Sequence, residues 1–404
     1  MWTGLHWLAT KFRTFRKSCS TSTLPENTCL KLCRFLIVDI FETKILGCIL
    51  VAILLDILSI ILIQTYLFVE RFDINYLLTF ALSYTMMLYA TVAILFLPDA
   101  RNNVKSTIKK IEMRDLNTET CKSAREKIRK EIFLETANLL AHIILAVVSW
   151  VLYTMHNENV EKYDCSIHVW TNYFPKWKNI SVFLYRIIFF PTIYVSIINP
   201  SHLMKYSLLQ IKFQVYVSIH QIEEINLGYE DRPFSRLDSR FHEMVSKRLL
   251  SCIKLHLFYY GLIREIEKRT TKYLFAFKTV SILLYFGLTI SYFSQKGVLP
   301  ITCLISLISL SIFSGATVTR SGQELENLSD DVYMSLVNVK WYHWNESNKR
   351  NYLIFLTNAM KPFKLKYSQN VSLNYKLAIE LLQAFFSAIS ISSNLKNVGN
   401  KTQI

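Results

Sequence analysis

The stretch ILGCILVAILLDILSIILIQTYLFV, residues 45–69, decides the class of fold. Only Asp56, Gln64 and a few small polar residues interrupt it. It is apolar all round rather than along one stripe, so every face of the helix it forms must be buried, in protein or in lipid. About 20 such residues, at 1.5 Å each, cross a hydrocarbon layer about 30 Å thick. Working outward, further blocks of this kind stand at 74–97, 132–155, 180–199, 273–293, 299–319 and 374–394. The second block is expected to stop at Pro98-Asp99, since proline lacks an N–H and clashes with the preceding turn. Trp150 and Tyr153 close the third at a position suited to a membrane interface, and Asn199-Pro200 closes the fourth. The expectation is an all-α polytopic membrane protein with seven transmembrane helices.

The composition agrees. Of 404 residues 51% are hydrophobic and 19% charged, with a mean hydropathy of +0.25. A soluble chain has about a quarter of its residues charged. The net charge is +16, yet the basic residues sit between apolar blocks and form no basic domain. Membrane lipid headgroups, not nucleic acid, are therefore the expected partner. The eight cysteines are scattered, only Cys165 falls in an expected outer loop, and Cys29 with Cys33 makes no metal site alone. Residues 1–44 lack the compact apolar run of a cleavable signal peptide, and none is expected. Patterns such as HExxH, Gly-x-Ser-x-Gly, the P-loop and the kinase set are missing, so no enzyme, cofactor or metal is expected.

Loop charge sets the orientation. Segments 1–44, 98–131, 200–272 and 320–370 hold 7, 10, 12 and 7 Lys and Arg, against 1, 3, 1 and 2 in 70–73, 156–179, 294–298 and 395–404. Basic residues stay on the cytosolic side, which places the N-terminus inside and, after seven crossings, the tail outside. This is the reverse of a G-protein-coupled receptor. Two cytosolic stretches carry helical apolar stripes: Leu203, Tyr206, Leu209, Phe213 and Tyr216, then Phe241, Val245, Leu249, Ile253 and Leu257. Residues 324–339 and 352–360 add two more. Such stripes must bury against something, so a cytosolic helical anchor domain is expected. The layout becomes a cytosolic segment 1–44, helices one to six within 45–319 with cytosolic extensions at 200–272, anchor helices at 320–370, a last helix at 371–394 and an outer tail at 395–404.

Ionisable groups inside hydrocarbon cost roughly 2.5–3.5 kcal/mol each on insertion scales and need a reason. Asp56 suits an interhelical hydrogen bond, Arg186 a reach to the interface, and His142 a packed polar position. In the last span Glu380, Gln383, Ser387, Ser390 and Ser393 recur every three or four residues, a wet stripe along one side. Contributed by several subunits it would line a pore; within one subunit it would be a packed polar seam, and the residues alone leave both open. Aromatics crowd the outer halves of the middle spans, among them Tyr76, Phe80, Tyr84, Trp150, Tyr153, Tyr185 and Phe189. They suit a mainly apolar pocket and equally an interfacial belt.

Ser321-Gly-Gln-Glu-Leu-Glu-Asn-Leu-Ser329, Val332-Tyr333, Trp341-Tyr342, Arg350, the apolar run 353–356 and Met360-Lys-Pro362 resemble the signature of insect odorant receptors. Val371-Ser-Leu373 and Phe385-Phe-Ser387 resemble the last transmembrane helix of that family. Tyr333 and Trp341 stand further apart than usual, which points to a small insertion in the cytosolic helix, and the Thr-Tyr…Gln-Phe ending of the related gustatory receptors is absent. The resemblance implies a subunit of a ligand-gated, non-selective cation channel in the plasma membrane of olfactory neurons. It implies a heterotetramer with a shared coreceptor, opened by a small volatile organic ligand bound in the outer half. Positional matches assign Tyr84, Trp150 and Tyr153 to that ligand, with Phe80 and Phe189 beside them in the aromatic cluster. The hydrophobic gate falls at Ile389 or, aligned from the other end, Ile391, and the polar residue one turn further out at Ser392 or Asn394. Gln383 joins them from the wet stripe. The alternatives are a tastant-gated gustatory receptor and a transporter, for which internal repeats would be expected.

Overall fold

Thr43 shows how the first long apolar helix begins. Its backbone is extended, its hydroxyl accepts the Leu46 N–H at 3.2 Å and its carbonyl accepts the Gly47 N–H at 3.0 Å. One side chain thus satisfies a donor that the first turn leaves without a partner. The structure, a computed structural model, describes residues 25–71, 74–113, 122–155, 164–228, 239–293, 301–368 and 371–401. The helices are α1 (Pro25–Arg34), α2 (Lys44–Arg71), α3 (Ile74–Glu112), α4 (Lys122–Met155), α5 (Cys165–Tyr173), α6 (Lys178–Leu184), α7 (Phe190–Glu223), α8 (Ser239–Phe293), α9 (Ile301–Val337), α10 (Glu346–Ala359) and α11 (Tyr375–Lys401). A π-helical turn, Tyr185–Phe189, joins α6 to α7.

Proline does not end the second span. Helix α3 runs through Pro98, and α7 likewise runs through Pro200, which was expected to close the fourth span. Proline removes one ladder bond, but packing on both sides of the gap can hold the axis together. Here Tyr273 of α8 donates to Asp99 at 2.7 Å and lies 4.4 Å, centroid to centroid, from Phe96. Around Pro200 the flanking Leu203, Ile197 and Ile198 are all buried.

Helix α3 packs against α7 and α8, α9 against α4 and α7, and α11 against α8 and α9, while α2 lies outside on α3 and α5. Gly287 lets α8 pass close to α3: a Cβ there would lie 2.5 Å from Thr85 Oγ1 and 3.1 Å from the Ala81 carbonyl. The outward face of α2 leaves Val51, Leu55, Leu62, Tyr66 and Val69 exposed. An apolar face of that length facing water would be a large penalty; lipid removes it. Among the described residues six helices are long and apolar enough to cross a membrane. Helix α11 stands where the seventh span was expected.

Long helices join two cores. One lies among α2, α3, α4, α7 and the first half of α9. The other gathers the second half of α7, the first half of α8, the end of α9, and α10. At 55 residues, α8 spans about 80 Å and belongs to both. The turn after α7 needs a left-handed residue, Gly228 at φ 91°, and Arg248 Nη1 donates to the carbonyls of Glu224, Ile225 and Leu227 at 3.0, 3.1 and 3.0 Å. These bonds satisfy acceptors that a helix C-terminus exposes. In the second core Tyr352 is fully buried, donates to the Leu336 carbonyl at 2.7 Å, and packs between Trp341 and Trp344.

One element was not expected of an all-α chain. Lys366–Ser368 (β1) and Val371–Ser372 (β2) pair antiparallel, and the Leu373 N–H donates to the Leu365 carbonyl at 2.8 Å. Phe363, Leu365 and Leu373 anchor this hairpin by burial. A pairing this short shows no readable alternation in sequence.

Candidate functional site

Asp164 organises the end of the bundle away from the anchor helices. Its Oδ1 accepts the N–H groups of Ser166 and Ile167 at 3.0 and 3.1 Å, capping α5. Its Oδ2 accepts the Tyr153 hydroxyl at 2.8 Å and the Ser83 hydroxyl at 3.4 Å. The next residue, Cys165, is fully buried; its N–H donates to Ser83 Oγ at 3.1 Å and its carbonyl accepts Gln64 Nε2 at 3.3 Å. Tyr76 in turn donates to Gln64 Oε1 at 2.6 Å. One short helix therefore ties α2, α3 and α4 together. Asp56, the carboxylate of the first long helix, is bonded across to Trp170 of α5 at 3.4 Å and to Tyr185.

Asp164→Ala removes a helix cap, at about 0.5–2 kcal/mol, and leaves buried hydroxyls without their acceptor, at about 1–3 kcal/mol. A clear fall in the melting temperature of the solubilised full chain is expected, with Asp164→Asn losing less because asparagine still caps. Equal melting of parent and Asp164→Ala would show that the network does not hold α5. The sequence reading passed over Asp164; an Asp directly before Cys165-Ser-Ile-His is an N-cap signal that could have found it.

The five expected ligand residues divide. Trp150, Tyr153 and Phe189 converge on the π-helical turn: Trp150 Nε1 donates to the Arg186 carbonyl at 3.0 Å, Phe189 stacks on Tyr185 at 4.6 Å, and Tyr153 meets Phe190 edge-on at 5.1 Å. Phe80 is buried against Tyr76 and His168, with centroids 4.9 and 4.7 Å away, across α5 from that group. Tyr84 faces the other way, sharing a hydrogen bond with Thr65 Oγ1 of α2 at 2.9 Å. Nothing in a helical spacing reveals which way a half-buried tyrosine of a lipid-embedded bundle turns.

A polar seam runs between α4, α7 and α9. His142 Nδ1 lies 2.8 Å from His202 Nε2, and His142 Nε2 lies 3.0 Å from Ser314 Oγ. Further along, Lys205 pairs with Glu135 at 2.5 Å, and Lys212 bridges Glu131 and Glu324 at 2.9 and 3.2 Å. Helix α11 docks by Leu377, Leu381 and Phe385, the last at 5.5 Å from Tyr285. Glu380, Gln383, Ser387 and Ser390 are exposed on its other side, and Ile389 is half-buried. The serine hydroxyls donate back to the helix, Ser387 to the Gln383 carbonyl at 2.9 Å and Ser390 to the Phe386 carbonyl at 3.1 Å, leaving their lone pairs outward. The side chains of Ile391 and Ser392 lie outside the described ones. A cavity of about 160 Å³ separates α11 from α3 and α7, and none of the five expected ligand residues lines it.

The fold is that of solved insect receptors. The structure of the olfactory receptor OR5 from Machilis hrabei in complex with eugenol superimposes with a TM-score of 0.68 at 11% identity, covering 92% of this chain and 97% of that one. A second structure of OR5 from Machilis hrabei gives 0.63 at 12% identity, covering 86% and 88%. At these identities the likeness establishes the fold alone. No curated protein matches the chain in sequence. A family profile described as 7tm Odorant receptor matches residues 73–386. That match takes in the polar end capped by Asp164, the seam, the anchor core and the start of α11, well over half of the sequence, and the chain belongs to the 7tm Odorant receptor family.

Proposed function

We propose that this odorant receptor is one subunit of a ligand-gated, non-selective cation channel of the plasma membrane, with seven spans, a cytosolic N-terminus and a shared coreceptor in a heterotetramer. The observation that carries the channel reading is the free side of α11. The helix docks by one narrow apolar edge and turns Glu380, Gln383, Ser387 and Ser390 away from its own subunit. A stripe of acceptor oxygens on a spanning helix is stable only against water or a polar partner. Four such stripes around an axis would supply a hydrated cation path, with Ile389 or Ile391 as the constriction and Ser392 nearby.

The ligand in this reading is a small volatile organic molecule held by Trp150, Tyr153 and Phe189 at the π-helical turn. The similarity to a receptor solved with eugenol supports that ligand class. A π-turn is a site where an element can shift by one residue without unfolding, so a ligand that prefers one register would bias the channel.

The test is whole-cell current in cells carrying this chain with and without an insect odorant coreceptor, screened against volatiles. Current evoked only in the pair is expected. With cysteine at Gln383 or Ser387, a cationic thiol reagent should then block that current and alter its ion selectivity. Evoked currents insensitive to the reagent at both positions would remove α11 from the pore, and responses to non-volatile tastants by this chain alone would favour a gustatory role.

A further inference from the structure

The cavity beside α11 is walled by Phe96, Phe277 and Tyr285 along its apolar length and reaches Asn103 at its other end. It runs along α3 from Tyr89 to Asn103, roughly 20 Å at 1.5 Å per residue. Asn103 is 8% exposed, and its Oδ1 accepts Arg269 Nη1 at 2.9 Å. A guanidinium only donates, so this bond fixes the amide orientation and leaves Nδ2 as the group on offer. That nitrogen is buried and meets no acceptor among the described residues. A buried donor with no acceptor costs about 1–3 kcal/mol, a penalty that an acceptor atom in the cavity would remove.

The hydroxyls of Thr270, Ser201 and Thr319 give their protons to their own helix carbonyls, at 2.7, 2.6 and 3.0 Å, and so do not compete with Asn103 Nδ2 as donors to an occupant. An apolar cavity of about 150 Å³ takes up a benzene-sized molecule, and this one has about 160 Å³.

We propose that the cavity is a second ligand site, separate from the aromatic cluster around Trp150. It takes a slender molecule with an apolar chain or single ring and an acceptor oxygen at one end, the oxygen on Asn103 Nδ2. Leu377 and Leu381 of α11 form part of the wall, so an occupant fixes the spacing between α11 and α8. Its effect on conductance rests on the reading of α11 as the pore helix; its existence does not.

A ten-carbon methyl ester bearing a mid-chain diazirine is the probe, photolysed with the full-length chain in lipid nanodiscs and mapped by mass spectrometry. Saturable labelling at Phe277 and Tyr285 is expected, weakened at least tenfold by Asn103→Ala and by Gly315→Leu, with Trp150→Ala without effect at these positions. A Cβ at Gly315 meets nothing nearer than the Tyr285 hydroxyl at 3.7 Å, so a larger side chain there starts into the cavity with no backbone in its way. Unchanged melting temperatures verify that both variants fold. Competition by unlabelled ester identifies a diffusing ligand, whereas competition only by added phospholipid identifies a lipid acyl ester; both support the site. Labelling that does not saturate, or that is equal in parent and both variants, overturns it. Saturable labelling with no change in evoked current upholds the site and overturns its coupling to α11.

Discussion

Gly322→Ala is expected to abolish surface delivery and evoked current. Gly322 lies in α9 within the Ser321–Ser329 signature, where the chain leading into the last helix crosses it. A Cβ at this position would lie 1.7 Å from the Leu373 carbonyl oxygen and 2.8 Å from its carbon. Those are backbone atoms, held by the Leu373 to Leu365 hydrogen bond and by burial of the Leu373 side chain. They cannot move aside as a flexible side chain would. Overpacking costs typically about 1–3 kcal/mol and more where backbone must shift, and here the whole hairpin and the start of α11 would have to lift. Gly315, two turns earlier on the same helix, is the control. Its Cβ would make only ordinary contact, and alanine there gains about 0.8–1.0 kcal/mol of helix propensity. Parallel melting and surface-labelling measurements on the two variants decide the matter. Similar behaviour of Gly322→Ala and Gly315→Ala would mean that α9 and the hairpin do not meet in this way.

Lys205→Met should be nearly as damaging, by a different route. The Lys205 and Glu135 side chains are 6% and 8% exposed, with the ammonium 2.5 Å from Glu135 Oε2 in a contact aligned as an ion pair rather than as a directed hydrogen bond. Removing one partner of a buried pair leaves the other charge uncompensated and costs about 3–5 kcal/mol, while replacing both by apolar groups is often neutral. The double variant Lys205→Met with Glu135→Leu is therefore expected to recover most of the stability lost by Lys205→Met alone. The coupling read from this cycle of melting curves is the measure of the pair. Full tolerance of Lys205→Met would show that water reaches Glu135. The adjoining group of Lys212 with Glu131, Glu324 and Arg320 is more exposed and should respond less to single changes.

Much of this was readable in the chain. Of the expected stripe in α8, Phe241, Val245 and Leu249 face the second core while Leu257 is exposed; in α7 that core takes Leu208, Ile211, Val215 and Ile219 instead of the expected stripe, whose Leu209 and Phe213 pack on Ile132 of α4. Trp341 of the signature and its neighbour Trp344 pack on Tyr352. Other features were not readable. The prolines at 98 and 200 looked like stops because local rules see only the lost N–H, whereas Tyr273, which braces α3 beside Pro98, lies elsewhere in the chain, and Ile197, Ile198 and Leu203 around Pro200 are buried only once other helices pack on them. The grouping of Trp150 and Tyr153 with Phe189, and the separation of Tyr84 from them, depends on the rotation of whole helices.

Membrane class, helical content and the amphipathic anchor segments follow from apolar block length and period, which are properties of neighbours along the chain and need no partner to act. The plug formed by Asp164 and Cys165, the Lys205–Glu135 pair, the close pass at Gly322 and the cavity ending at Asn103 join residues tens to hundreds of positions apart. Hydrogen bonding, ion pairing and steric exclusion act over a few ångströms in space, so these features exist only once packing has brought the helices into register.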